Sequence, residues 1–281
     1  GGTLLCSGVT GSGHAFLAAW LHREFPHRPL LLVAENLKAQ ETLHQDLETW
    51  LGVAQRGTGG VTAAQPVGNA PTAPIATIPL QFFPAWEILP HEDKLPHADV
   101  ISERLETLVS LMASFPGKAG HSGAPRITTS VTALLQRTFP PAMLAARTRT
   151  LRRGERVDPL DLVGWLEDNG YDSEAQVSAK GEIALRGGIV DVFPLTSPWP
   201  VRLEFFGDEL ESLRTFDPVT QVSREGGQLT ELILPPAGEI GVLKREARSH
   251  PAEPLASLID YLPDNTLVLL SDPEAVEAHA L

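Results

Sequence analysis

The sequence predicts an α/β protein. A P-loop-like, mostly parallel sheet is flanked by helices, and an inserted α+β domain contains an antiparallel sheet. Three observations lead there. A glycine-rich turn, Gly8-Val9-Thr10-Gly11-Ser12-Gly13-His14-Ala15, stands between a short apolar run and a helical pattern. The unbroken apolar run Leu30-Leu31-Leu32-Val33 suits a parallel strand buried on both faces. Beyond Pro140-Pro141, short alternating runs separated by tight glycine turns suggest an antiparallel sheet.

Taken in order, Thr3-Leu4-Leu5-Cys6 reads as a short buried strand. From Ala15 a helix is predicted, with Phe16, Leu17, Trp20 and Leu21 on its apolar face. Asn36 suits the cap of the next helix, which carries Leu43, Leu47 and Leu51. This strand–helix–strand start implies a doubly wound sheet. Gly57 to Pro74 lacks periodicity and reads as a loop, and Ile75-Ala76-Thr77-Ile78 as a strand. Pro84 to Pro90 is a proline-bounded apolar turn. Asp99 suits the cap of a helix carrying Val100, Ile101, Leu105, Leu108 and Met112. A second loop, Gly117 to Pro125, precedes the strand Arg126-Ile127-Thr128-Thr129.

Asp158-Pro159 is a helix start, with a capping carboxylate and proline at the first helical position. Leu162, Val163 and Leu166 form its stripe, and Gly170 supplies the left-handed residue at its end. Strands are predicted over 182–186, 189–193, 201–206 and 210–216. Leu232-Ile233-Leu234 and Thr266 to Leu270 read as strands, and Leu255 to Tyr261 as a helix. All three are expected to rejoin the first sheet. The predicted boundaries are 1–139 for the first part of the P-loop-like domain, 140–217 for the inserted domain and 218–281 for the return segment.

Composition narrows the function classes. The 281 residues are 42% hydrophobic and 20% charged, with a formal charge of −13. A broad acidic surface repels phosphate backbones, which argues against a free-standing DNA binder. One cysteine, Cys6, excludes a disulfide framework and fits a reducing, cytoplasmic setting. No apolar run reaches membrane-spanning length, so no membrane partner is expected.

The glycine-rich turn is a phosphate loop without its chemistry. Gly8, Gly11 and Gly13 supply the turn, and backbone N–H groups at a helix start favour an anion. The lysine that would reach the β- and γ-phosphates is replaced by His14. The hydroxyl that would hold Mg²⁺ is replaced by Ala15. The reading is a retained fold element with lost activity. A glycine-rich turn that never bound nucleotide is the alternative. His91, Asp93, His97 and Asp99 have no established ligand spacing, so no metal is expected.

Several longer segments carry a family likeness: Pro84-Ala85-Trp86-Glu87-Ile88-Leu89-Pro90, Ser102-Glu103-Arg104-Leu105, Gly181 to Pro194, Arg202 to Glu209 and Leu213 to Asp217. With the Gly8–Gly13 turn, they make the chain resemble the N-terminal, UvrB-like module of bacterial transcription-repair coupling factors. UvrB itself keeps the loop lysine and hydroxyl and has a tyrosine-rich hairpin that pries into DNA. Here Tyr171 and Tyr261 are the only tyrosines and lie far apart, which favours the coupling factor.

The resemblance implies a DNA-repair function. The full protein would recognise RNA polymerase stalled at a lesion, displace it with an ATP-driven DNA translocase and recruit UvrA. The UvrB-like module, mainly its inserted domain, would supply the UvrA docking surface and be non-catalytic itself. ATP and Mg²⁺ would belong to motor domains elsewhere, leaving this N-terminal portion without a cofactor. RNA polymerase and DNA would likewise be met by other parts. Arg186 matches the family arginine that docks UvrA; a salt bridge to Glu182 or Asp191 is its alternative use. Ile183 lies on the same segment, and a regular strand would turn it away from Arg186. Phe193 matches a family aromatic and suits either the interface rim or core packing. Asp172 and Ser173 stand where many relatives carry a further arginine. The run from Arg147 to Arg156 suits an extension of the UvrA surface, DNA phosphates, or a solvated turn. An active P-loop NTPase and a UvrB-like damaged-DNA binder remain as competing readings.

Overall fold

The computed structural model describes residues 2–52, 80–86, 97–114, 124–243 and 255–280. They fall into two compact units. One takes its described residues from Gly1–Ala85, Ala113–Leu135 and Leu262–Leu281, the other from Trp86–Met112 and Gln136–Tyr261. No helix among these residues is long and apolar enough to cross a membrane. The predicted strand at 75–78, most of both predicted loops, and Glu87 to Pro90 lie outside the described residues, as do His91 and Asp93.

The first unit is built on a parallel sheet of β1 (Leu30–Ala34), β2 (Leu80–Phe83), β3 (Arg126–Ser130) and β12 (Leu267–Leu270), in the order β12-β1-β3-β2. All five residues of β1 are buried, as an apolar run flanked by two strands requires. α1 (Gly13–Glu24) and α2 (Leu37–Leu51) supply Ala15, Ala18, Leu43 and Leu47 to a core with Leu30, Leu32 and Leu80. The Asn36 side chain accepts the Ala39 N–H at 2.9 Å, and Gly52 at φ +63° ends α2. β12 rejoins this sheet in parallel beside β1, as predicted.

Two expectations fail here. Thr3–Cys6 forms no strand, and Leu4 is 86% exposed. Among the described residues, no strand pairs with the outer edge of β12. The predicted apolar face of α1 is also wrong. Phe16 and Trp20 are exposed, while Ala15 and Ala18 are fully buried. Small side chains allow α1 to approach closely, and Phe16 instead stacks edge-on against Trp50 of α2 at 5.0 Å.

The second unit holds a six-stranded sheet in the order β10-β9-β8-β7-β6-β5. Its strands are β5 (Asp172–Ser173), β6 (Glu182–Arg186), β7 (Ile189–Val192), β8 (Val201–Phe206), β9 (Glu209–Phe216) and β10 (Ser223–Leu229). Every pairing is antiparallel except β5 with β6. Two short helices, α4 (Val131–Leu135) and α5 (Pro141–Ala146), come between β3 and this sheet in the chain. Alternate residues Ile183, Val190, Val192, Val201, Leu203 and Leu213 pack with Leu162 and Leu166 of α6 (Pro159–Asp168). Asp158 caps α6, its Oδ1 accepting N–H bonds from Leu160 at 2.8 Å and Asp161 at 3.3 Å. Gly170, at φ +91°, turns the chain out of the helix.

β11 (Glu231–Leu234) was expected in the first sheet. It pairs antiparallel with β4 (Arg149–Arg152) and places Leu232 and Leu234 in the same core as α6. The return of the chain is therefore split, with β11 in the second unit and β12 in the first. The helix predicted over 255–261 shortens to one 3₁₀ turn, Leu258–Tyr261, also in the second unit. The Tyr261 hydroxyl donates to the Phe139 carbonyl at 2.7 Å.

A fully buried ion pair stands behind the tryptophan and arginine motifs of the sequence. Arg104, on α3 (Ala98–Ser114), gives Glu239 its Nε at 2.8 Å and its Nη2 at 3.1 Å. The Trp86 indole N–H at 3.0 Å and the Thr138 hydroxyl at 2.6 Å also donate to this carboxylate. The guanidinium lies 4.6 Å from the Trp86 ring centre. Four segments distant in sequence are tied at one carboxylate.

Candidate docking face and glycine-rich turn

The loop keeps the backbone of a turn leading into a helix. Gly8 and Gly11 sit at φ +81° and +53°, and α1 begins at Gly13. Two of its donors are turned inward: the Gly13 N–H bonds the Thr10 carbonyl at 3.1 Å and the His14 N–H bonds the Gly11 carbonyl at 3.2 Å. Ala15 is fully buried in the core of the first unit, so the position expected to bear a metal-binding hydroxyl faces apolar side chains. A cleft of about 380 Å³ lies beside the loop, lined by Gly11, His14, Glu35, Lys38, Asp46 and Asp272 among others. Three carboxylates against one lysine make it a poor seat for a polyphosphate. No group of three or more His, Cys, Asp or Glu suited to a metal occurs among the described residues. His97 and Asp99 form an exposed pair at 3.3 Å.

The six-stranded sheet offers different chemistry. Because side chains alternate, the residues between the core positions lie on the opposite face. Arg186, Asp191, Arg202, Glu204 and Arg214 fall there across four strands. Asp191 registers with Arg202, and Arg202 with Arg214. Asp191 is fully buried and receives Arg202 twice, Nε to Oδ1 at 2.7 Å and Nη2 to Oδ2 at 2.8 Å. Arg186 Nη2 reaches the same Oδ2 at 2.5 Å. Hydrogen bonds from Arg202 to Asp191 raise the guanidinium pKa, and the charge of Glu204 adds to this. Arg214 and the Ser212 hydroxyl donate to Glu204 and hold its carboxyl below the usual range.

The proposed contact residues are not equivalent. Arg186 has a side chain 46% exposed and makes the salt bridge to Asp191 that was the alternative to a docking role. Ile183 belongs to the main core, and Phe193 is buried with Val177, Ala184 and Phe216. Only Arg186 of the three presents its side chain to solvent. Gly187, at φ +62°, makes the β6–β7 turn. Gly188 allows close approach to β8, since a Cβ there would stand 2.9 Å from the Phe205 carbonyl oxygen. Asp172 and Ser173 lie exposed on the edge strand β5, the Ser173 hydroxyl donating to Glu167 at 2.5 Å.

The arginine run is partly a strand. Arg152 pairs with Glu231 at 3.3 Å and Arg156 with Asp208 at 3.7 Å, both exposed, and Arg153 Nε donates to the Glu211 carbonyl at 2.9 Å. The residues that sequence reasoning missed are Arg202 and Glu204, Asp191 having been named only as a possible partner of Arg186. The alternation Arg202-Leu203-Glu204 was their visible signal.

Residues 150–239 match the profile of the UvrB interaction domain. A transcription-repair-coupling factor of Haemophilus influenzae is 38% identical over 159 residues, 56% of this chain and 13% of the relative. Its counterpart in Myxococcus xanthus is 30% identical over 269 residues, 96% of this chain and 20% of the relative. That of Bacillus subtilis is 26% identical over 317 residues, 95% of this chain and 24% of the relative. The chain thus spans less than a quarter of the length of these relatives. It belongs to the family of transcription-repair-coupling factors, and residues 150–239 are its UvrB interaction domain.

Proposed function

We propose that this chain is a non-catalytic docking module in transcription-coupled nucleotide excision repair, recruiting UvrA to damage through its antiparallel sheet. The observation that carries this reading is a half-exposed Arg186 on an otherwise internally paired charged face, inside the UvrB interaction domain. Interface centres favour arginine, which binds carboxylates with directional, bidentate geometry. RNA polymerase, DNA and ATP are met by other parts of a full-length coupling factor. The Gly8–Ala15 turn is a degenerate P-loop whose inward-bonded donors and acidic cleft make a poor seat for Mg-ATP.

Isothermal titration of purified UvrA into this chain tests the reading. Binding is expected, and Arg186→Ala should weaken it by about 1–3 kcal/mol. Absence of binding, or unchanged affinity in the variant, counts against the assigned face. Mg-ATP titrated into the same chain should give no binding heat, and micromolar affinity would revive the NTPase reading. Tight, salt-sensitive binding to lesion duplex would favour the damaged-DNA reading, which the −13 charge opposes.

A further inference from the structure

Asp191 is a fully buried carboxylate served by two arginines of unequal commitment. Arg202 grips it with two nitrogens, is only 18% exposed, and lies with its guanidinium 4.7 Å from the Phe216 ring centre. A third contact runs from its Nη1 to the Gln221 carbonyl at 3.4 Å. Arg186 touches the carboxylate with one nitrogen and leaves nearly half of its side chain in water. A buried charge deprived of its partner is strongly unfavourable. Asp191 escapes that penalty when Arg186 leaves, because the bidentate Arg202 pair remains.

We infer that Arg186 is an exchangeable arm, parked on Asp191 in the free chain and transferred to a carboxylate of the docking partner. Arg202 is the positioning residue that keeps the transfer from stranding a buried charge. The inference rests on the docking role proposed above and adds a division of labour between two arginines on one carboxylate. Weakening Arg202 leaves Arg186 as the principal counter-charge of a buried anion and ties it down. Arg202 therefore acts on the partner through Arg186, without touching it.

Two measurements test this. In the free chain, ¹⁵N NMR of the arginine side chains should show Arg186 Nε–H mobile and fast-exchanging, and Arg202 Nε–H ordered. In Arg202→Lys, which keeps the charge but loses the two-nitrogen grip, Arg186 should become ordered. Equal order of the two side chains in the native chain would overturn the inference whether or not UvrA binds. The second measurement is a binding cycle with UvrA. Arg186→Ala and Arg202→Lys should each weaken binding roughly 5- to 150-fold. The double variant should fall within about twofold of Arg186→Ala alone, as coupled residues give non-additive losses. Losses that multiply would show that Arg202 acts independently and would overturn the inference. Arg202→Gln, checked for folding by circular dichroism, repeats the cycle without the charge and should give the same non-additivity.

Discussion

Replacing Arg104 by methionine isolates the energetic weight of the buried tie in the second unit. Both side chains of the Arg104–Glu239 pair are fully buried, with guanidinium contacts at 2.8 and 3.1 Å. The thioether chain of the Arg104→Met variant would fill much of the space of the arginine stem but would leave Glu239 without its counter-charge. Only the neutral donors of Trp86 and Thr138 would then remain among the four hydrogen bonds described for that carboxylate. Breaking a buried pair by removing one partner costs about 3–5 kcal/mol. That is a large share of the roughly 5–15 kcal/mol available to a domain. Urea unfolding followed by tryptophan fluorescence reads the loss, because Trp86 stacks on the removed guanidinium. Adding Glu239→Gln removes the stranded charge while keeping an acceptor for Trp86 and Thr138. The double variant should recover at least about 1 kcal/mol relative to Arg104→Met. A single-variant loss below about 1 kcal/mol, or a double variant whose losses simply add, would refute the argument.

Three further outcomes follow from the same geometry. Glu204 is held below its ordinary pKa of 4.5 by Arg214 and Ser212. Its stabilisation is therefore complete above pH 4.5 and lost as pH falls through the lower folded value. Glu204→Gln should flatten the acid limb of a stability–pH curve there and leave its pH dependence near neutrality unchanged. Ala15→Thr with His14→Lys, which restores the motif letters, should still fail to bind Mg-ATP by titration. It should also lower the melting temperature, because the added atoms enter a packed core at a cost of about 1–3 kcal/mol. Gly188→Ala should destabilise the second unit by about 1–3 kcal/mol in urea titration, since the new Cβ meets the Phe205 carbonyl at 2.9 Å.

Local signals with strong physical causes were legible in the sequence. The apolar run of β1, the Asn36 and Asp158 caps and the Gly170 exit each stand where predicted. The alternating strands from 182 to 216 form most of the antiparallel sheet. The partner of each strand was less legible. Leu232-Ile233-Leu234 carries no mark distinguishing β4 from the parallel sheet as its neighbour, and long-range pairing decided it. Helix α1 misled for a related reason: its large apolar residues outnumber its alanines, but the helix-to-sheet distance selects Ala15 and Ala18 for the inside. At the candidate docking face, Arg186 was found by likeness alone. Its environment depends on Asp191 and Arg202, which meet it only when β6, β7 and β8 are in register.

The glycine turn shows why a pair of spaced glycines is weak evidence for nucleotide binding. Gly8 and Gly11 occupy positive φ, which L side chains rarely adopt, so the chain needs them to enter α1 whether or not a phosphate is present. Positions 14 and 15 have no such backbone duty. One now carries a histidine beside an acidic cleft, the other an alanine packed against the sheet. The antiparallel sheet reverses this pattern of constraint. Its core residues and its charged face share the same strands, so a one-residue slip of register would turn Arg202 and Asp191 toward the α6 core and turn Leu203 and Val190 away from it. Folding and presentation of the charged face are thereby set by one alternation. In the glycine turn, by contrast, the backbone is set by Gly8 and Gly11 and not by the side chains at positions 14 and 15.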